Sequence, residues 1–313
     1  MQKIADLFPV LPEELRQKRL EWPHGKINAV LDTDLSNEID DLFALGLAIL
    51  TPEKINLQAV TAVPFFNNRS TSPQDGMEKS YQEILYSLEL LKKQKEHFVF
   101  RGSENYLPDP FTPVESPAAR RIVELAQEAA SKDEVLYIFA IGAITNVASA
   151  LLLSPEIIKN TVIIWLGGHN LHTRVNNEFN LYQDIAASQV IFDSGVPLVW
   201  VPCAGVAELL ITSLPQIETN CGNGTEFGKY LQKRSRDYMK NDPQALKVIW
   251  DISTVLYILR PDLVTSRLIP APIPADDGAW TEEANRHPIR QVTYLNRPGS
   301  FQYLYEILQK APQ

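Results

Sequence analysis

Residues 28–50, NAVLDTDLSNEIDDLFALGLAIL, set five carboxylates between two apolar runs. Asp32, Asp34, Glu38, Asp40 and Asp41 fall within ten consecutive positions. The run INAVL (27–31) has the character of a short buried strand, and EIDDLFALGLAIL (38–50) has the length and apolar content of a buried helix. Carboxylates are poor residues for strands and helix interiors, and like charges at this spacing repel. The acids therefore mark a strand-to-helix turn, and something must compensate their repulsion.

The rest of the chain repeats the strand–helix rhythm. LQAVTAV (57–63), HFVF (97–100), VLYIFAI (135–141), TVIIWL (161–166) and PLVWVP (197–202) read as strands. Helices are expected over 75–94, over 116–130 with Ser116 as N-cap and Pro117 in the first turn, over 146–153, and over 184–195 closed by Gly195. Strands that are apolar throughout, alternating with helices, imply an α/β fold with an open, mostly parallel sheet flanked by helices. The last third reads as largely helical: 205–260 includes helical runs at 224–240 and 245–260. A Pro-rich loop over 270–280, a strand at 289–295 and a helix at 300–311 follow. With no repeat, low-complexity tract or clear linker, residues 1–313 are expected to form a single domain.

Bulk properties exclude several partners. The net charge of −9 and pI near 5.2 disfavour nucleic acid and anionic membranes, both of which select basic surface. No apolar run reaches the roughly 18 residues needed to span a bilayer. The first residues have scattered charges and no apolar core of a signal peptide. Cys203 and Cys221 form no zinc or disulfide pattern, so a reducing, cytoplasmic compartment is expected.

In open parallel sheets, ligands bind beyond the carboxyl ends of the strands, where Asp32 and Asp34 fall. Asp40 and Asp41 suit the first turn of the following helix, whose dipole favours anions, and Ser36 or Asn37 could cap it. That accounts for one or two acids but not for Asp32 and Asp34, which precede the helix. A divalent cation resolves the repulsion. An all-oxygen donor set selects a hard cation, and several carboxylates from one turn suit the loose geometry of Ca²⁺ better than Mg²⁺. An Asp-x-Asp after a first strand also occurs in haloacid-dehalogenase-type phosphatases. Ser36 stands where those carry Thr or Val, and acidity through Asp41 would repel a phosphate.

Asp32-x-Asp34 with Asp40-Asp41 after the first strand resembles the inosine-uridine type nucleoside hydrolase family. The segments AVTAVPFFNN, IGAITNVASALLLSPEI, IIWLGGHN, NNEFNLYQDIAAS and IWDISTVLYILRPDL are similar to its further motifs in the same order, across roughly residues 27–262. The resemblance implies the nucleoside hydrolase fold and calcium-dependent hydrolysis of an N-ribosidic bond. It implies a metal shell of Asp34, Asp41, the Thr145 carbonyl and Asp251, with Asp34 also taking the proton from the nucleophilic water. It implies that Asp40, Asn67, Glu178 and Asn180, together with Asp251, grip the ribose hydroxyls, and that Asp32 supports them from behind. The partner is a small ribonucleoside, the oligomer a homodimer or homotetramer. A non-catalytic ribose- or calcium-binding relative is the alternative.

The residues carry their own logic. An oxocarbenium-like state is stabilised by a negative pocket. Glu178 and Asn180, at i and i+2, would share one side of an extended segment. Asp251, within an apolar helix, would need a partner. Two departures from the family pattern stand out. The Asp34–Asp40 gap is longer than in the best-known members and contains Glu38, an extra acid without a family role. Trp250 occupies the place where many base-nonspecific members have a His that protonates the leaving base. It resembles the purine-preferring type, where an aromatic stacks on the base. His169, and less directly His172, remain the candidate leaving-group acids.

Overall fold

A computed structural model describes residues 3–173, 176–221 and 224–313. After the short helix α1 (Glu13–Leu20), strand β1 (Ile27–Thr33) runs through the centre of the molecule with nearly every residue buried. Its side chains alternate: Ala29 and Leu31 join one hydrophobic core, and Val30 joins the core on the opposite face. That double burial selects an apolar strand. The chain continues through α2 (Asp40–Leu50), β2 (Ile55–Ala62), α3 (Pro73–Leu90), β3 (Val99–Phe100), α4 (Pro117–Ser131), β4 (Leu136–Ala140), α5 (Thr145–Leu153) and β5 (Thr161–Leu166). The helices α6 (Phe179–Gln183) and α7 (Ile185–Asp193) lead to β6 (Leu198–Val201).

These strands belong to an eight-stranded sheet of order β3-β2-β1-β4-β5-β6-β12-β9, parallel except where the edge strand β9 (Val264–Pro270) runs antiparallel to β12 (Pro288–Leu295). The order reverses direction between β1 and β4, so the loops after these two strands diverge and leave a crevice. In register, Asp32 lies opposite Thr61 of β2 and Ala140 of β4. One face of the sheet is covered by α2, α10 (Ile252–Leu259) and α11 (Arg297–Leu308), the other by α4, α5 and α7. The expected α/β architecture is the one observed.

Several segment readings change. The run 245–260 is not one helix: Leu246–Val248 forms strand β8, paired antiparallel with β7 (Ile211–Ser213), and α10 begins only at Ile252. Asp251 is therefore the N-cap of α10 rather than an interior residue. The remaining helices of this region are α8 (Leu214–Asn220) and α9 (Glu226–Tyr238). The Pro-rich stretch holds a small hairpin, β10 (Ile273–Pro274) with β11 (Trp280–Thr281). Helix α2 starts at Asp40 behind Ile39, with no side-chain cap, so neither Ser36 nor Asn37 caps it and Glu38 lies outside it. By contrast, Ser116 caps α4 by accepting the Ala119 N–H, as its Ser-Pro sequence predicts.

Asn146, in the first turn of α5, ties the strand ends together. Its amide nitrogen donates to Asp32 Oδ1 (2.9 Å) and to the Ala62 carbonyl (3.0 Å), and its oxygen accepts the Ser103 N–H (2.8 Å). All of these groups are buried, so losing the amide strands each of them. Asn146→Leu is expected to lower stability by about 3 kcal/mol or more. Denaturant unfolding reads this directly, and a loss below about 1 kcal/mol would mean that the strand ends are held by other contacts.

Candidate active site

The crevice between β1 and β4 opens into a cavity of about 310 Å³ lined by Asp34, Asp40, Asp41, Asn67, Glu178, Asn180, Trp250 and Asp251, with His169, Asn37 and Glu38 also in its wall. Four stretches of chain deliver these groups: the β1–α2 turn with the start of α2, the loop after β2, the segment before α10, and the loop after β5 with the start of α6. The β1–α2 turn brings Asp34 and Glu38, and the start of α2 brings the adjacent Asp40 and Asp41. The loop after β2 brings Asn67, and the segment preceding α10 brings Trp250 and Asp251. The loop after β5 and the start of α6 close the far side with His169, Glu178 and Asn180.

One carboxylate oxygen from each of Asp40, Asp41 and Asp251 lies within 4.8 Å of the others, and all three side chains are buried. Burial raises every pKa in the group, because the charged form loses its hydration. Asp41 is pushed up to about 7, by burial first and by Asp40 next. Asp251 rises well above the carboxylate range through burial, then Asp40, Asp41 and Asp34. Asp34 rises likewise, through burial, then Asp41, Asp40 and Glu38. Asp40 is also raised by burial, with Lys247 working against the lift. Left alone, such a group binds protons; a polyvalent cation would replace them.

Local hydrogen bonds aim these acids. Asn37 donates to Asp34 Oδ2 (3.0 Å), and the Asn37 N–H closes the turn on the Asp34 carbonyl (2.7 Å). The Thr33 hydroxyl donates to Asp41. Asp40 Oδ2 accepts the Trp250 N–H (3.2 Å), while its Oδ1 lies 3.1 Å from Lys247 Nζ, close but not aligned as a hydrogen bond. Asn67 donates to Asn37 Oδ1 (2.8 Å), linking two walls of the cavity.

Glu178 and Asn180 do not lie on an extended strand. Glu178 is the N-cap of α6 and accepts the N–H groups of Gly168 (2.6 Å), Asn180 (3.0 Å) and Leu181 (2.9 Å). Asn180 donates to the Leu166 carbonyl (2.9 Å). Both remain in the cavity wall, held by a helix terminus instead of by strand alternation. His169 is fixed by its backbone. Its N–H donates to Asn176, its carbonyl accepts the Trp280 indole N–H (2.8 Å), and Nδ1 accepts the Ala204 N–H (3.3 Å). A neutral His169 then carries its proton on Nε2. His172 is exposed and outside the cavity wall.

Two expected residues lie behind the cavity. Asp32 is fully buried among Thr61 and Asn146, and burial pushes its carboxyl up to about 7. Thr145 is the first residue of α5, buried, and its hydroxyl donates to Asp184 (2.6 Å) instead of capping the helix. The sequence reading missed Asn37, Cys203 and Asn177, which line the cavity, and Lys247 behind it. The one signal for Lys247 was a lone cation in the apolar run ALKVIW.

Similarity to known proteins agrees with this geometry. Residues 29–297 match the family described as inosine-uridine preferring nucleoside hydrolase. The non-specific ribonucleoside hydrolase RihC of Escherichia fergusonii is 24% identical over 313 aligned positions, covering 90% of this chain and 98% of that protein. Among solved structures, the plant nucleoside hydrolase PpNRh1 superposes with a TM-score of 0.72 at 20% identity, over 91% of this chain and 99% of its own. A purine-preferring ribonucleoside hydrolase from Gardnerella vaginalis gives 0.71 at 18% identity, over 91% and 99%. With the cavity's carboxylates inside the matched span, the chain belongs to the inosine-uridine preferring nucleoside hydrolases, enzymes that cleave the N-glycosidic bond of ribonucleosides.

Proposed function

We propose that this cavity hydrolyses purine ribonucleosides to base and ribose with the help of a bound Ca²⁺, and that the work is done within one domain in the cytoplasm. The observation that carries the proposal is the meeting of Asp40, Asp41 and Asp251, buried within 4.8 Å of one another, beside the equally buried Asp34. The donor set is entirely oxygen and its acids are otherwise driven to hold protons, which fits a hard divalent cation. Asp34, Asp41, Asp251 and the Thr145 carbonyl would hold it. Bound there, Ca²⁺ would keep the cluster ionised and acidify a water.

The chain's own residues then account for the rest. Asp34, oriented by Asn37, takes the proton of the attacking water. Asp40, Asn67, Glu178, Asn180 and Asp251 receive the sugar hydroxyls. Asp32 supports the turn from behind through Thr61 and Asn146. The carboxylates stabilise positive charge as it develops on the sugar. Trp250 offers a ring to the base, and His169, in the cavity wall, is the candidate acid for the leaving group in its imidazolium form. The purine preference rests on Trp250, since the similar proteins differ in their own stated substrates. The free, buried Cys203 and Cys221 suit a reducing compartment, and strands of one sheet run from residue 27 to residue 295, which supports the single domain. Among the described residues, no helix is long and apolar enough to cross a membrane.

Reducing-sugar release with inosine, adenosine, uridine and cytidine in Ca²⁺ tests the reaction. Inosine or adenosine should be favoured, and Trp250→Ala should lower their kcat/KM by about 10–100-fold, equivalent to about 1–3 kcal/mol of stacking. Equal use of uridine by both proteins would remove Trp250 from base selection. Asp34→Asn should lower kcat by about 10²–10⁴-fold while ribose still binds; a smaller loss would assign the base elsewhere.

Metal binding has a readout apart from turnover. Asp41 and Asp32 hold their protons up to about pH 7 when folded, whereas the unfolded chain releases them near pH 4. The folded state therefore binds more protons across that window, and its stability falls as pH rises. Chelated protein should melt at progressively lower temperature from pH 4 to 7. Added Ca²⁺ should raise the melting temperature most at the alkaline end, where the cluster is readiest to ionise. A melting temperature indifferent to Ca²⁺ at pH 8 would count against the site.

A further inference from the structure

Lys247 is a buried lysine, 7% exposed, in the short strand β8. Its Nζ bonds Glu38 Oε2 and lies 3.1 Å from Asp40 Oδ1. Glu38 is tethered in turn: its other oxygen accepts the Tyr238 hydroxyl (2.6 Å), and Arg69 Nη1 stands 3.9 Å away. Both cations also sit over the Tyr238 ring, Arg69 at 4.9 Å and Lys247 at 5.6 Å from its centroid. The pair thus joins the β1–α2 turn to β8 and to the end of α9.

A buried ion pair can be a seam between elements and nothing more. Two observations go further. The pair ends on Asp40, a carboxylate of the cavity wall, while Lys247 itself stays out of that wall. Asp40's second oxygen accepts the Trp250 N–H from another direction, so an ion pair on one oxygen and a hydrogen bond on the other hold the carboxylate. A carboxylate has about four lone-pair positions, so these two contacts do not saturate it. Without Glu38, Lys247 would be a buried cation facing Asp40 alone.

We infer that Lys247, held by Glu38, is a positioning residue that fixes the Asp40 carboxylate in the orientation that receives the sugar hydroxyls. The long turn between Asp34 and Asp40 is then the device that supplies Glu38. This rests on the assignment of Asp40 to the sugar. It asks for a readout that general destabilisation would not move, namely the preference for a ribonucleoside over its 2′- and 3′-deoxy analogues.

Lys247→Met, Lys247→Arg and Glu38→Gln are compared with the wild type in Ca²⁺, with thermal melts alongside. Lys247→Met should raise KM for the ribonucleoside about tenfold or more, with a smaller change in kcat, and narrow its preference over at least one deoxy analogue by a similar factor. Lys247→Arg should recover much of the preference. Glu38→Gln, the milder change should Lys247→Met fail to fold, should shift it in the same direction as Lys247→Met. Loss of melting temperature and kcat with KM and the ribo-to-deoxy ratios unchanged overturns the inference and leaves the hydrolase reading standing. If the wild type turns over no ribonucleoside, the reaction is misassigned, and calorimetric binding of D-ribose decides the inference separately. Weakened binding in Lys247→Met, restored in Lys247→Arg, supports it; equal binding in all, or none to the wild type, overturns it.

Discussion

The burial of Asp34, Asp40, Asp41 and Asp251 around one point is the constraint that the surrounding structure has to satisfy. Each is at most 4% exposed, and each is raised in pKa first by burial. A chain can hold four such groups together only by protonating them, by neutralising them with a cation, or by surrounding them with donors. Asn37, Thr33 and the Trp250 N–H are donors, and Lys247 is a fixed cation. One ammonium does not balance four carboxylates, so the remainder must hold protons or a further cation.

The sheet makes that concentration possible. Between β1 and β4 the strand order reverses, so two loops part and α2 starts directly beneath the gap. Asp40 and Asp41 occupy the first turn of α2, where the helix dipole offsets some of their mutual repulsion. Behind them Asp32, Thr61 and Asn146 hold the ends of β1 and β2 to α5. On the far side the loop after β5 is held to Glu178 through the Gly168 N–H, and the Trp280 indole holds the His169 carbonyl. The acidic side of the cavity is thus built against a rigid strand end, and the opposite side against a helix terminus.

Much of this was legible in the sequence because its signals are local. The apolar runs, the acids at the strand-to-helix turn and the Ser-Pro start of α4 each act over a few residues. The readings that changed depend on distant partners. KVIWDISTVLYIL has no breaker, so nothing in it announces that β8 pairs with β7 or that Asp251 opens α10 rather than lying inside it. Glu178 and Asn180 reach the cavity wall through an N-cap that Glu178 makes with the Asn180 and Leu181 N–H groups, anchored to the Gly168 N–H ten positions away, and not through strand alternation. Glu38 was opaque because its partner, Lys247, is 209 residues further along. Charge pairing over that distance leaves no periodic trace in either segment.

Trp250 joins the two halves of the proposed chemistry in one residue. Its backbone N–H holds Asp40, the acid assigned to the sugar, and the residue lines the cavity, where its ring is proposed to meet the base. The backbone contact survives any substitution that leaves the local fold intact, whereas the ring does not. Sugar grip and base selection are therefore separable by changing the side chain alone, even though one residue serves both. A histidine at this position could donate a proton to the leaving base; an indole offers a donor but no titratable proton. If the base leaves with a proton, that proton must come from elsewhere in the wall; His169 lies there, but only its imidazolium form could supply it, and that form requires Nδ1 to give up the Ala204 N–H.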